Sequence, residues 1–185
     1  ATCRRAWGPE FGGGCGLLLH STLAVDPSGT GEVLGLAYQK LFVRSEKPEA
    51  ETRTKRQTRW RESQIWPESV REAGPPPSAS RWIHVGDRGC DNFEFYAQCR
   101  TTGTDFLVRV AQDRRAALGH EAQESTGLLL QLARQLPAAG KKTLTLRTRP
   151  KRKAREAQLS VAWAQMTVFP PWLNREAIDP LPVWV

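Results

Sequence analysis

The chain has 185 residues, 39% of them hydrophobic, and a formal net charge of +8; this bounds it to about one domain with a modest core and excludes disorder of the whole chain. Its apolar runs fall short of the roughly 18 residues a spanning helix needs, which excludes a helical membrane protein, and no membrane partner is expected. The positive charge makes an anionic partner the first expectation, with nucleic acid ahead of a lipid surface.

Residues 1–15 form an irregular, Gly-rich lead without an initiator Met or a signal-type apolar run, and read as the interior of something longer. Cys3, Cys15, Cys90 and Cys99 contain no C-x-x-C pair, and His20, His84 and His120 are the only histidines. That is poor material for a zinc site. Without a secretory signal the thiols are expected to be reduced, in a cytoplasmic protein; two disulfides in a secreted protein are the alternative.

Along the chain, LLLHSTLAV (Leu17 to Val25) and EVLGLAYQKLFVR (Glu32 to Arg44) flank DPSGTG, whose Pro27 and Gly29 supply turn chemistry. The two runs predict an antiparallel hairpin with a loop longer than the tightest type. Gly35 inside the second run predicts a bulge or a close approach. A charged stretch from Ser45 to Thr58 then leads into a helix from about Glu62 to Ala73, with Ile65, Trp66 and Val70 on one face and Pro67 in the first turn. GPPPSAS stops it. RWIHVGD reads as a short buried strand, CDNFEFYAQCR as a helix burying Phe93, Tyr96 and Ala97, and TDFLVRV as a second strand. Strand, helix, strand predicts a parallel pair.

From about Val110 the character changes. AQDRRAALGHEAQEST is polar, and LLLQLARQL (Leu128 to Leu136) predicts a short helix stopped by Pro137. KKTLTLRTRPKRKAREAQLSVAWAQMTVF alternates as strands do on either side of a basic tip near Pro150. Lys141 to Arg155 contains eight Lys or Arg and no acid. DPLPVWV closes the chain as a further strand.

Asp87 stands where a strand stops and a helix is about to start. Two readings apply: an N-cap, with help from Asp91, or a ligand-binding group past the carboxyl end of a strand in an open α/β sheet. GLLLHSTLAVDPSGTGEVLGLAYQ, RESQIW, IHVGDRGCDNFEFYAQ and DFLVRVAQDR, in this order and spacing, resemble the catalytic core of bacterial DDE transposases of the insertion-sequence-four family, to which the transposase of transposon five belongs. The sharpest piece is DR-x-x-D followed by Arg109 in FLVR. The resemblance covers Gly16 to Arg115 well and Leu128 to Val185 loosely.

The resemblance implies an α/β, ribonuclease-H-like mixed sheet, incomplete over residues 16–115, and a β-rich insertion over 116–185. It implies three carboxylates holding two Mg²⁺ ions, which activate water and then a DNA 3′-hydroxyl for attack on a phosphodiester. Asp87 matches the family's second aspartate, as a catalytic and metal-binding residue. The positions of its first aspartate and its glutamate are not matched: Asp26 lies in the hairpin loop, and neither Glu156 nor Glu176 has the Y-x-x-R-x-x-x-E setting. Gly89 replaces an acid found in several relatives. Arg88 and Arg109 match DNA-contacting positions, the alternative for Arg109 being a structural pair with Asp105 or Asp113.

Lys151, Arg152 and Lys153 at the basic tip are expected to contact DNA phosphates, against the alternative of a solvated hairpin. Trp60 and Trp66 read as packing groups rather than base-stacking ones. The partners are DNA, as transposon ends and target, and a second copy in the complete protein. With one carboxylate of three, the chain alone is expected to be inactive in strand cleavage. The competing expectations are a non-catalytic basic nucleic-acid-binding domain and a decayed gene remnant.

Overall fold

The run Leu18–Asp26 forms β1 and Glu32–Phe42 forms β2, an antiparallel hairpin. Its five-residue loop is turned by Asp26, whose carboxylate accepts the Ser28 N–H at 2.8 Å, and by Gly29 and Gly31 at φ 64° and 80°. Gly35, at φ 155°, sits between two register shifts, so the predicted bulge is there and is double. The computed structural model describes residues 17–43, 50, 52, 55, 59–119, 126–150, 152–171 and 179–185. Among them the protein is mixed α/β and mostly strand, with ten strands and three α-helices, and no helix is long and apolar enough to cross a membrane. The chain divides into two units, Ala1–Arg109 and Val110–Val185.

In the first unit a 3-10 turn at Glu62–Gln64 leads into α1 (Ile65–Ala73), where Pro67 occupies the first turn and so removes no helical hydrogen bond. Gly74, at φ 78°, ends the helix. α1 buries Ile65, Ser69 and Val70, while Glu68 ties it to the hairpin: Tyr38 Oη donates to Glu68 at 2.9 Å, Lys40 Nζ at 2.5 Å and Trp60 Nε1 at 3.4 Å. Burial opposes the charge on Glu68, yet these donors outweigh it and hold the carboxyl below its ordinary value. Burial and the facing Glu68 push the Tyr38 phenol up to about 12.

β3 (Ile83–Gly86), α2 (Phe93–Thr102) and β4 (Asp105–Val108) complete this unit as the expected strand, helix and parallel strand. Asn92 caps α2 by accepting the Phe95 N–H at 2.6 Å, and Gly103 ends it in the left-handed conformation. α2 buries Phe93, Phe95, Tyr96 and Cys99, with the Tyr96 ring stacked on Phe106 of β4 at 4.7 Å. Phe95 therefore takes the core position that spacing assigned to Ala97.

The mixed α/β expectation holds at that level, and the reading of β3 as a buried strand needs correction. Among the described residues β1–β2 and β3–β4 are separate two-stranded ladders. β1 and β3 are hydrogen-bonded to no common strand, so each ladder is placed by the helices it packs against. β3 is not buried on both faces. His84 and Phe106 face α2, whereas Val85 is 73% exposed and Leu107 64%. The outer face of the hairpin is similarly open, with Leu19, Leu23, Val25, Val33, Leu36 and Leu41 exposed.

The second unit contains β5 (Arg115–Leu118), β6 (Thr126–Leu128), α3 (Leu129–Gln135), β7 (Gly140–Leu146), β8 (Arg155–Val161), β9 (Gln165–Val168) and β10 (Leu181–Trp184). A four-stranded antiparallel sheet in the order β10-β9-β5-β6 buries Ala116, Ala117, Met166, Val168 and Leu181, and Leu129 of α3 joins them. β5 lies within the stretch read from sequence as polar. β7 and β8 form a hairpin of their own, in the place expected for the basic tip.

Candidate functional site

The parallel β3–β4 ladder sets the geometry. Gly86 pairs with Val108, and the Arg109 N–H donates to the Gly86 carbonyl at 3.3 Å. Asp87 and Arg109 therefore leave the carboxyl ends of two adjacent strands side by side, both exposed. Side chains at that end of a parallel pair project away from the sheet, which is where open α/β sheets bind ligands.

A tight fold holds Asp87 there. After Gly86 the chain closes a 3-10 turn, Arg88–Cys90, and the Asp87 carboxylate accepts the Gly89 N–H at 2.7 Å. The Cys90 thiol donates to the Asp87 carbonyl at 3.1 Å. A Cβ on Gly86 would lie 2.1 Å from Cys90 Sγ, so only glycine lets the turn fold back over the strand end. Asp91, the second acid of DR-x-x-D, is buried and accepts a hydrogen bond from the Tyr96 hydroxyl. It anchors the turn to α2 rather than facing solvent. The cap reading is thus divided: Asp87 caps the 3-10 turn, while Asn92 caps the helix, and Asn92 Nδ2 also donates to the Ser63 carbonyl at 2.9 Å.

Trp66 forms the floor beside this corner. Its ring lies where a Cβ on Gly89 would meet it at 3.1 Å, with Asp87 Oδ1 at 3.0 Å, and it packs edge-on against His20 of β1 at 4.7 Å. Trp60 packs edge-on against Phe42 at 5.4 Å. Both tryptophans are packing groups, as expected. Sequence reading missed the part of Trp66 in bracing Gly89, for which helical spacing carries no signal. It also missed Asn92, although an Asn directly before an apolar periodic run is a start signal for a helix.

Arg109 does not form either structural pair considered for it. Asp105 is taken by Arg81 at 2.5 Å, and the Asp113 carboxylate accepts the Leu130 N–H at 2.8 Å. Arg88 is exposed in the 3-10 turn. The structure thus brings Asp87, Arg88 and Arg109 to one corner of the first unit. Arg152 and Lys153 are exposed in the second unit, and Lys151 lies outside the described residues. Asp26 is engaged with its own turn, Glu156 lies on β8 opposite Thr145, and Glu176 is outside the described residues.

Among the described residues no three His, Cys, Asp or Glu side chains come together to hold a metal ion. A lone carboxylate that also accepts a backbone N–H does not fit a two-ion cage, which needs several acidic ligands. Cys90 and Cys99 are buried free thiols. Burial, with the charges of Asp87 and Asp91 adding to it, pushes the Cys90 thiol up to about 11; burial pushes Cys99 up to about 12. Thiols buried and shifted in this way are poor nucleophiles and metal ligands at neutral pH. The chain matches no model of a known protein family, and no curated protein matches it.

Proposed function

We propose that the chain is part of a DDE transposase core that binds DNA, contributing through Asp87 one of three carboxylates by which the complete protein moves DNA strands in a metal-dependent phosphoryl transfer. The observation that carries this reading is that Asp87 and Arg109 directly follow the paired residues Gly86 and Val108, at the carboxyl ends of adjacent parallel strands. A DNA backbone laid across that corner would meet two guanidinium groups, of Arg88 and Arg109, beside the one acid. Guanidinium groups are suited to phosphate by their planar fork of donors. Because the residues present do not fit a two-ion cage, the role of this chain by itself is to hold DNA rather than to cut it. A non-catalytic basic nucleic-acid-binding domain is the second reading, favoured by the exposed cations on β7–β8.

Duplex binding followed by fluorescence anisotropy separates the two. Arg88→Ala with Arg109→Ala is expected to weaken binding and to lower the slope of log K against log salt by roughly 1 to 2, since each lost phosphate contact removes about 0.9. An unchanged slope favours the second reading. Incubation with duplex and Mg²⁺ or Mn²⁺ is expected to leave the strands intact; nicking that Asp87→Ala abolishes would contradict the account.

A further inference from the structure

Among the described residues the β7–β8 hairpin is a ribbon bonded to no other strand. Its register runs without slip from Gly140↔Val161 to Leu146↔Arg155, and the same register holds at the tip, where Arg149 and Arg152 exchange both backbone hydrogen bonds at 2.9 Å. Ten residues on each side make a ribbon about 30 Å long at the usual rise of ~3.4 Å per residue. Alternation along the strands puts Leu144, Leu146 and Arg155 on one face, and Arg149 and Arg152 on the other. The distal part is therefore basic on both faces. No acid lies between Lys141 and Arg155, and these cations form no ion pair among the described residues.

Three anionic partners can be weighed. A lipid surface is flat and is met by cations gathered on one face; here they lie on both. A single nucleic-acid strand is held by aromatic side chains on which its bases stack, and residues 140–161 contain none. A duplex groove has phosphates on both walls, which is what a ribbon with cations on both faces fits. Two strands about 4.8 Å apart, with side chains on each face, make a body about 10 Å thick. That matches a major groove of about 12 Å and not a minor groove of about 6 Å.

We propose that β7–β8 is an arm that enters the major groove of duplex DNA, with Arg149 and Arg152 meeting phosphates on one wall and Arg155 on the other. This rests on the DNA partner of the reading above. The arm is held in shape by its backbone ladder, so its cations can be changed without disturbing a core.

The test uses the whole chain with a labelled duplex of about 20 base pairs and the corresponding single strand. The chain is expected to prefer the duplex. Arg149→Ala, Arg152→Ala and Arg155→Ala together are expected to weaken duplex binding at least tenfold and to lower the salt slope by roughly 2 to 3. Lysine at the same three positions is expected to restore most of the slope. A major-groove ligand is expected to compete, and a minor-groove ligand not. If the wild-type chain binds no duplex, the DNA reading itself fails and the arm with it. If it binds duplex but the triple alanine variant keeps affinity and slope, or only the minor-groove ligand competes, the arm is wrong while the DNA reading stands. Equal or tighter binding to the single strand, or to anionic vesicles, also overturns it.

Discussion

The Asp87 corner and the β7–β8 ribbon both present charge to solvent, but they are built in opposite ways. The corner is fixed by side-chain packing: Cys90 closes over Gly86, Asp91 is bonded to Tyr96, and Phe93, Phe95 and Cys99 lie buried beneath. The ribbon is fixed by a regular ladder of backbone hydrogen bonds, with nearly every residue exposed. Substitutions among the packed residues of the corner should therefore disturb stability and binding together. Those on the ribbon should disturb binding alone.

The sharpest contrast is between two glycines. Gly86→Ala must displace Cys90 and is expected to lower stability by about 3 kcal/mol, at the upper end for overpacking, whereas Gly140→Ala meets no atom within 4 Å and should stay within about 0.5 kcal/mol. Urea midpoints of the two variants make the comparison, and equal midpoints would remove the distinction. Next in size, Asn92→Ala removes the cap of α2 and the bond to Ser63, for an expected loss of about 1 kcal/mol. Glu156→Ala on the ribbon should have no measurable effect on stability.

The first unit is also expected to be acid-sensitive. Burial lowers the pKa of His84 below 6.5 and, despite the opposing charge of Glu68, that of His20 as well. Groups depressed in the folded state contribute stability that is complete above the unfolded pKa and is lost as pH falls from 6.5 through the folded values. Glu68 behaves likewise in a lower window, below its ordinary 4.5. Urea midpoints should fall as the pH drops below 6.5, and His84→Leu should flatten that fall; an unchanged pH profile would show that His84 is not held uncharged in the folded chain. Smallest in effect, Cys90 and Cys99 should resist thiol reagents at neutral pH until the chain is unfolded.

Much of the first unit was legible because its signals are local. Pro27, Gly29 and Gly31 mark the turn, Pro67 and Gly74 bracket α1, and the strand, helix, strand order gives the parallel pair that carries Asp87 and Arg109. What was not legible depends on long-range contacts. An apolar run such as IHV reads as a buried strand, but burial of its second face needs a covering layer that local sequence does not report; here Val85 and Ile83 remain exposed. The single sheet came from resemblance, and the described strands do not form it. β5 was hidden because Arg-Ala-Ala-Leu has little strand character of its own and pairs only through β6 and β9. At the candidate site, Asp87 stood out as an acid at a strand end, while the close approach of Cys90 and Trp66 that holds it arises only from the fold.

The central claim is that the Asp87 corner lies against a DNA backbone, and Asp87→Asn tests it most directly. The amide oxygen can still accept the Gly89 N–H, so the turn is kept while the charge is removed. In a chelator and at low salt, removing a carboxylate that repels phosphate should tighten duplex binding by about threefold or more, a magnitude set by like charges several ångströms apart near a protein surface. Equal affinity for wild type and Asp87→Asn would contradict the account and leave Asp87 as a cap on the 3-10 turn.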